Sequence, residues 1–215
     1  MKPAVATVFV VDDDHAVRDS IRELVESVGL DAETFSSAEE YLATHDSARP
    51  GCLVVDIRMA RVSGLGLQSR LNEMKARIPI VFITAHADVP MVVEAMRGGA
   101  VGFVTKPYRE QELLDNINEA LSRDAAARLD SDRQGHYEQM MVGLTGRESE
   151  IMQLAMEGLS SKVIAQRLDI SHRTVELHRS RVLEKLGLSS TAELMRIAAE
   201  HPLLRSKAPP PTWNQ

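Results

Sequence analysis

The sequence predicts an α/β domain with a doubly wound parallel sheet, followed by a smaller all-α domain built around a helix-turn-helix. Three observations lead there. Apolar runs alternate with amphipathic stretches through residue 122, the pattern of helices packed on both faces of a parallel sheet. Each apolar run stops on a polar residue able to do chemistry. Beyond residue 143 strand signals cease and helix punctuation takes over.

In chain order, Val8-Phe9-Val10-Val11 reads as a buried strand that ends on Asp12-Asp13-Asp14. A helix follows over 15–28, where Val17, Ile21, Leu24 and Val28 recur on one face and Gly29 stops it. A second helix covers 38–45. Cys52-Leu53-Val54-Val55 leads into Asp56, and a helix covers 66–74. Ile80-Val81-Phe82-Ile83 leads into Thr84, with a helix over 90–97. Val101 to Thr105, with Phe103 inside it, leads into Lys106-Pro107, and a helix covers 110–121.

In an open parallel sheet, groups at the carboxyl ends of strands converge on one crevice. Three acids, a hydroxyl and an amine therefore surround one point. Clustered carboxylates repel unless a cation joins them, and a set of oxygen donors with this charge suits Mg²⁺. A metal ion beside a lysine makes a site for a transferring phosphoryl group. A carboxylate in such a site is a competent nucleophile toward phosphorus, and the product is an acyl phosphate.

Residues 125–142 are mostly polar and read as a linker, one that a continuation of the preceding helix would make helical, weakened at Gly135. In the second domain, Thr145-Gly-Arg-Glu148 and Ser190-Thr-Ala-Glu193 are capping boxes. Four helices are expected, over 147–157, 161–168, 173–186 and 191–200, with Asp169-Ile170-Ser171 as the turn before the third. Short helix, tight turn and longer helix make a helix-turn-helix. The third helix can enter a major groove. Thr174 at its start, with free backbone N–H groups, can hold a phosphate. Val175, Glu176, His178, Arg179, Arg181 and Lys185 run along it as DNA-contact candidates, with Lys162 and Arg173 as backbone contacts. Val182, Leu183 and Leu186 form its core face. Residues 202–215, with Pro202 and Pro209-Pro210-Pro211, read as a disordered tail.

Composition supports this division. The chain has 215 residues, 44% of them hydrophobic, and a net charge of −6. Residues 145–215 hold ten Lys/Arg against eight Asp/Glu, and residues 1–144 hold fifteen against twenty-three. An anionic polymer would therefore meet the C-terminal part. The single cysteine, Cys52, has no partner for a disulfide. No run of 18 apolar residues suggests a membrane span. Three acids directly after the first apolar stretch argue against an export leader, so a cytoplasmic protein is expected.

On Asp12-Asp13-Asp14, Asp56, Thr84, Phe103 and Lys106-Pro107, residues 5–124 resemble the receiver domain of bacterial two-component response regulators, a flavodoxin-like five-stranded fold. The resemblance implies Asp56 as phosphoacceptor from a sensor histidine kinase. It implies Asp12, Asp13, Asp56 and the backbone carbonyl of Arg58 as Mg²⁺ ligands, with Lys106 on a phosphoryl oxygen and a cis bond before Pro107. Thr84 and Phe103 would form the switch, with Ala85 leaving room for the threonine to move. Arg58 and His86 would flank the path of hydrolytic water and tune phosphate lifetime. Ala60 departs from the family, which usually has proline there.

Residues 143–200, from Leu144-Thr-Gly-Arg-Glu through Gly158-Leu-Ser-Ser-Lys to Thr174-Val-Glu-Leu-His-Arg-Ser-Arg, resemble the LuxR-type helix-turn-helix. The two together indicate the NarL/FixJ class, and Thr84-Ala-His-Ala-Asp-Val-Pro90 with the long linker favours its FixJ-like branch. The class implies a regulator that is no enzyme beyond its own phosphorylation and dephosphorylation. It would bind promoter DNA as a phosphorylation-dependent homodimer, with RNA polymerase as a further candidate partner. Two other readings stay open. A phosphate-independent regulator would use the receiver for dimerisation. A haloacid-dehalogenase-type Mg²⁺ phosphatase would want an acid where Arg58 stands.

Overall fold

The structure is a computed structural model and describes residues 5–200; the expected tail lies outside them. The chain divides into two compact units between Arg128 and Leu129.

The first unit contains strands β1 (Thr7–Val11), β2 (Asp31–Phe35), β3 (Gly51–Asp56), β4 (Ile80–Thr84) and β5 (Gly102–Thr105). All pair in parallel, in the order β2-β1-β3-β4-β5. Helices α1 (His15–Ser27), α2 (Ala38–Thr44), α3 (Gly64–Glu73) and α4 (Val89–Arg97) lie between them in sequence, and α5 (Glu110–Val142) follows.

Alternation along the strands divides the apolar side chains between two cores. Phe9, Val11, Leu53, Val55 and Phe82 face one side with Tyr41, Leu67, Leu71 and Ala95. Val8, Val10, Cys52, Val54, Val81 and Ile83 face the other, with Ile21, Val25, Leu113 and Ile117. Central strands buried on both faces read as continuous apolar runs. Each fully buried Leu or Ile contributes about 1.5–3 kcal/mol. Cys52 is fully buried, and burial pushes its thiol up to about 12.

The helix starts follow their caps. Asp14, Ser37, Ser63 and Asp88 each accept a backbone N–H of the helix they open. One element departs from the sequence reading. Strand β2 was not located, because Asp31-Ala-Glu-Thr-Phe lies at a sheet edge and buries only Phe35. Helix α5 continues for 33 residues, as far as Val142, through the stretch read as a linker that could be helical.

The second unit contains α6 (Gly146–Met156), α7 (Ser161–Arg167), α8 (His172–Lys185) and α9 (Thr191–Glu200). Thr145 and Glu148 complete a reciprocal capping box, and Ser160 and Ser171 cap α7 and α8. Asp169 turns the chain between α7 and α8 at φ 51°. One core joins Ile151, Leu154, Ile164 and Val175, and another joins Met152, Met156, Val182, Leu186 and Leu194.

The Glu148 carboxylate accepts from Lys185 Nζ at 2.7 Å and from the Thr145 N–H at 2.8 Å. The Lys185 bond, then the Thr145 N–H, hold its carboxyl down at about 2 from an ordinary 4.5. A depressed folded value stabilises the fold above about pH 4.5, and that stability is lost as pH falls toward 2. Thermal unfolding followed between pH 5 and pH 2.5 is expected to show this loss, and Glu148→Gln is expected to flatten the dependence for the second unit.

Candidate phosphoryl and DNA sites

In the first unit the chemistry gathers where β1, β3, β4 and β5 end. Val11 is in register with Val55, so Asp12 and Asp56 follow on adjacent strands. Asp12 is 1% exposed and Asp56 6%. Lys106 Nζ donates to Asp12 Oδ2 at 2.8 Å and to Asp56 Oδ1 at 2.9 Å. The Lys106 N–H donates to the Thr84 carbonyl at 2.7 Å, and the Lys106–Pro107 bond is cis.

Burial, the largest influence on Asp56, raises its carboxyl above the ordinary value; Lys106 opposes this without cancelling it, and Asp12 reinforces it. Lys106 is raised too: burial alone would lower it, but its bonds to Asp12 and Asp56 outweigh that. The second Asp56 oxygen accepts the Arg58 N–H at 2.7 Å. Asp13 is exposed and accepts the Ala60 N–H at 3.0 Å.

Asp14 is occupied as the α1 cap, with Ala16 N–H at 2.9 Å on its Oδ1. Thr84 is fully buried, and its Oγ1 meets the His86 backbone N–H and carbonyl, each at 3.4 Å. Phe103 is half-buried and packs on the core that holds Phe9 and Phe82. Ala85, His86 and Arg58 are exposed.

The donors expected for a cation are of the kind that suits a hard divalent ion: the carboxylates of Asp12, Asp13 and Asp56 and a backbone carbonyl offer oxygen only. As placed, Lys106 spans Asp12 and Asp56 while Asp13 turns to Ala60. Among the described residues no three acid, His or Cys side chains form a ready cation cage.

In the second unit the face of α8 turned to solvent carries Arg173, Glu176, Leu177, Ser180 and Arg181, with Lys162 exposed on α7. Two expectations are corrected. Val175 cannot touch DNA, since it is fully buried against Ile151, Ile164 and Ala165. The Thr174 N–H is not free, since it donates to the Ser171 cap at 3.1 Å.

Arg179 is tied inward. Its guanidinium donates to Ser161 Oγ through Nη1 and to Thr191 Oγ1 through Nη2, the latter at 2.8 Å, joining α8 to the starts of α7 and α9. His178 is half-buried, and its Nδ1 makes no hydrogen bond. Lys185 is committed to Glu148 and the Gly143 carbonyl.

Comparison with known proteins joins these two arrangements. Residues 8–118 match the response regulator receiver domain, and residues 142–198 match the bacterial regulatory proteins of the luxR family. The transcriptional regulatory protein TdiR of Thauera aromatica is 46% identical over 88% of this chain and 84% of its own. FixJ of Rhizobium meliloti is 39% identical over 89% of this chain and 94% of its own. The chain belongs to the NarL/FixJ-type response regulators.

The response regulator StyR is similar in structure, with a TM-score of 0.82 and 44% identity over 92% of this chain and all of that one. Full-length FixJ from B. japonicum gives a TM-score of 0.54 at 35% identity, over 92% of this chain and 98% of that one. This regulator thus pairs a receiver with a LuxR-type DNA-binding domain, and no helix among the described residues is long and apolar enough to cross a membrane.

Several contacts escaped the sequence reading. Leu177 and Ser180 lie on the solvent face of α8, and Leu177 is 50% exposed; continuing the 3.6-residue period from Arg173 would have found both. Ser161 and Thr191 carried no signal, because their partner arrives from elsewhere in the fold. Arg179→Ala is expected to lower the stability of the second unit by about 1–3 kcal/mol, the cost of two lost part-buried hydrogen bonds. Arg181→Ala is expected to leave stability within about 0.5 kcal/mol while weakening DNA binding. Urea unfolding and a DNA-binding titration on both variants separate the two roles.

Proposed function

We propose that this regulator is switched by phosphorylation of Asp56, by a sensor histidine kinase, and that the phosphorylated form dimerises and binds promoter DNA. The observation that carries this reading is the placement of Lys106 Nζ on both Asp12 and Asp56. It puts a fixed cation beside the one carboxylate that ends β3, where charge on a transferring phosphoryl group would need it.

In the transfer, an Asp56 oxygen attacks phosphorus, the P–O bond forms as the P–N bond to the kinase histidine breaks, and the imidazole leaves with the bond's electrons. Asp12, Asp13, Asp56 and the Arg58 carbonyl would hold Mg²⁺. When bound, that ion offsets charge on the phosphoryl oxygens and on the acids. Lys106 exchanges its bond with Asp56 for one with a phosphoryl oxygen, a charge-assisted contact. Thr84 turns its hydroxyl from the His86 backbone to the phosphoryl group, and Phe103 rotates into the vacated space.

Two receiver states that differ by a few kcal/mol are enough for such a switch. Two DNA-binding domains then engage two half-sites, and linkage raises their joint affinity without any new contact to DNA. A cytoplasmic location follows from the two partners proposed, a kinase's phosphohistidine and DNA.

With acetyl phosphate and Mg²⁺, intact mass is expected to rise by one phosphoryl group, and Asp56→Asn to abolish the rise. Equal labelling of the variant would move the acceptor elsewhere. DNA affinity is expected to fall steeply with salt and to increase with a phosphoryl mimic, together with a doubling of mass in sedimentation. A mimic that leaves both unchanged would favour a regulator that works without phosphate.

A further inference from the structure

Past Leu121, helix α5 has little reason to stay on the receiver. From residue 122 to 133 every side chain is exposed or half-exposed except Asp124, which is 3% exposed. A buried carboxylate is costly unless paired and hydrogen-bonded. Asp124 meets both conditions. Its Oδ2 accepts the Gly51 N–H at 2.9 Å and Arg128 Nε at 2.7 Å.

The rest of the Arg128 guanidinium is used as well. Nη1 donates to the Ala48 carbonyl at 3.1 Å, and Nη2 to the carbonyls of Ser47 at 3.2 Å and Arg49 at 2.6 Å. One planar fork thus binds three successive carbonyls of the α2–β3 loop together with a carboxylate from its own helix. Lysine has no such geometry. The loop is itself ordered by Asp46, which accepts the Ala48 N–H at 2.9 Å. Gly51 itself is set by the sheet: a side chain there would meet the Thr7 carbonyl of β1 at 2.0 Å.

We propose that Asp124 and Arg128 form a clamp that extends the receiver's hold on α5 by about two turns, and that this clamp couples the receiver to the DNA-binding domain. The free connector then begins after Arg128, where the compact first unit ends, rather than after the last apolar contact at Leu121. A polar helix held by nothing is marginal in water, so the clamp decides whether residues 122–128 act as part of the receiver or as tether. The clamp also meets β3 at Gly51, and Asp56 ends that same strand. The structure therefore fastens the connector to the strand that carries the proposed acceptor. Arg128 and Asp124 are positioning residues: neither touches the acids around Lys106.

The coupling half of this proposal rests on phosphorylation-controlled DNA binding; the clamp itself does not. The test uses the full chain, unmodified and with Arg128→Ala, Arg128→Lys or Asp124→Asn. Backbone amide exchange over 118–133 is read alongside phosphorylation by acetyl phosphate and the ratio of DNA affinities with and without beryllofluoride. In Arg128→Ala, exchange over 122–128 is expected to rise about tenfold, with the phosphorylation rate unchanged and the affinity ratio reduced. Arg128→Lys is expected to fail like Ala, since it keeps charge and loses the fork.

Unchanged exchange in both Arg128→Ala and Asp124→Asn would overturn the clamp. Faster exchange with an unchanged affinity ratio would overturn its coupling role and leave a purely structural contact. If the unmodified chain gains no DNA affinity with beryllofluoride, the regulatory reading falls and the coupling role with it, while exchange still decides the clamp.

Discussion

Lys106 holds together groups that would otherwise push one another apart. The β1–β3 register sets Asp12 beside Asp56, and both are nearly out of contact with water. Two carboxylates so placed destabilise each other and each loses hydration. A lysine from the end of β5, two strands away from Asp56, bridges them, and its own backbone is fixed by the carbonyl of Thr84. The crossovers that bring β5 to the sheet edge are thus what place the ammonium. A change in the charge on Asp56 must therefore be felt by Lys106, and so by the end of β4 where Thr84 lies.

The sequence was most legible where one kind of signal had no competitor. Central strands read as unbroken apolar runs because both faces are covered, and the Thr145–Glu148 capping box announces α6 within one residue of where it begins. The acids, Thr84 and Lys106 could be placed at strand ends because each directly follows such a run. Strand β2 was not found for the converse reason: at an edge it buries one residue, and Asp31 and Glu33 hide its pattern. A helical continuation of α5 was open in the sequence, but what holds it there was hidden, since a buried Asp and an Arg find partners more than seventy residues away.

The same limit shows in the DNA-binding domain. Charge and position on α8 marked Arg179 as a contact for DNA, yet its guanidinium is turned to Ser161 and Thr191. Arg181, two residues on, is exposed. Sequence distinguishes these two arginines poorly, because the difference is rotation about a helix axis and the company each meets there. Val175 illustrates the other side: an apolar residue at a groove-entering position turned out to serve the packing of α6 and α7 against α8.

The lone cysteine acquires a use from its surroundings. Cys52 follows Gly51 at the start of β3, fully buried, with its thiol pushed up to about 12. Thiolate is the reactive form, so at neutral pH an intact sheet shields this sulfur both sterically and chemically. Alkylation of native protein would then run only as fast as β3 opens. The chain thus carries an intrinsic reporter, one atom wide, for breathing of the strand that leads to Asp56.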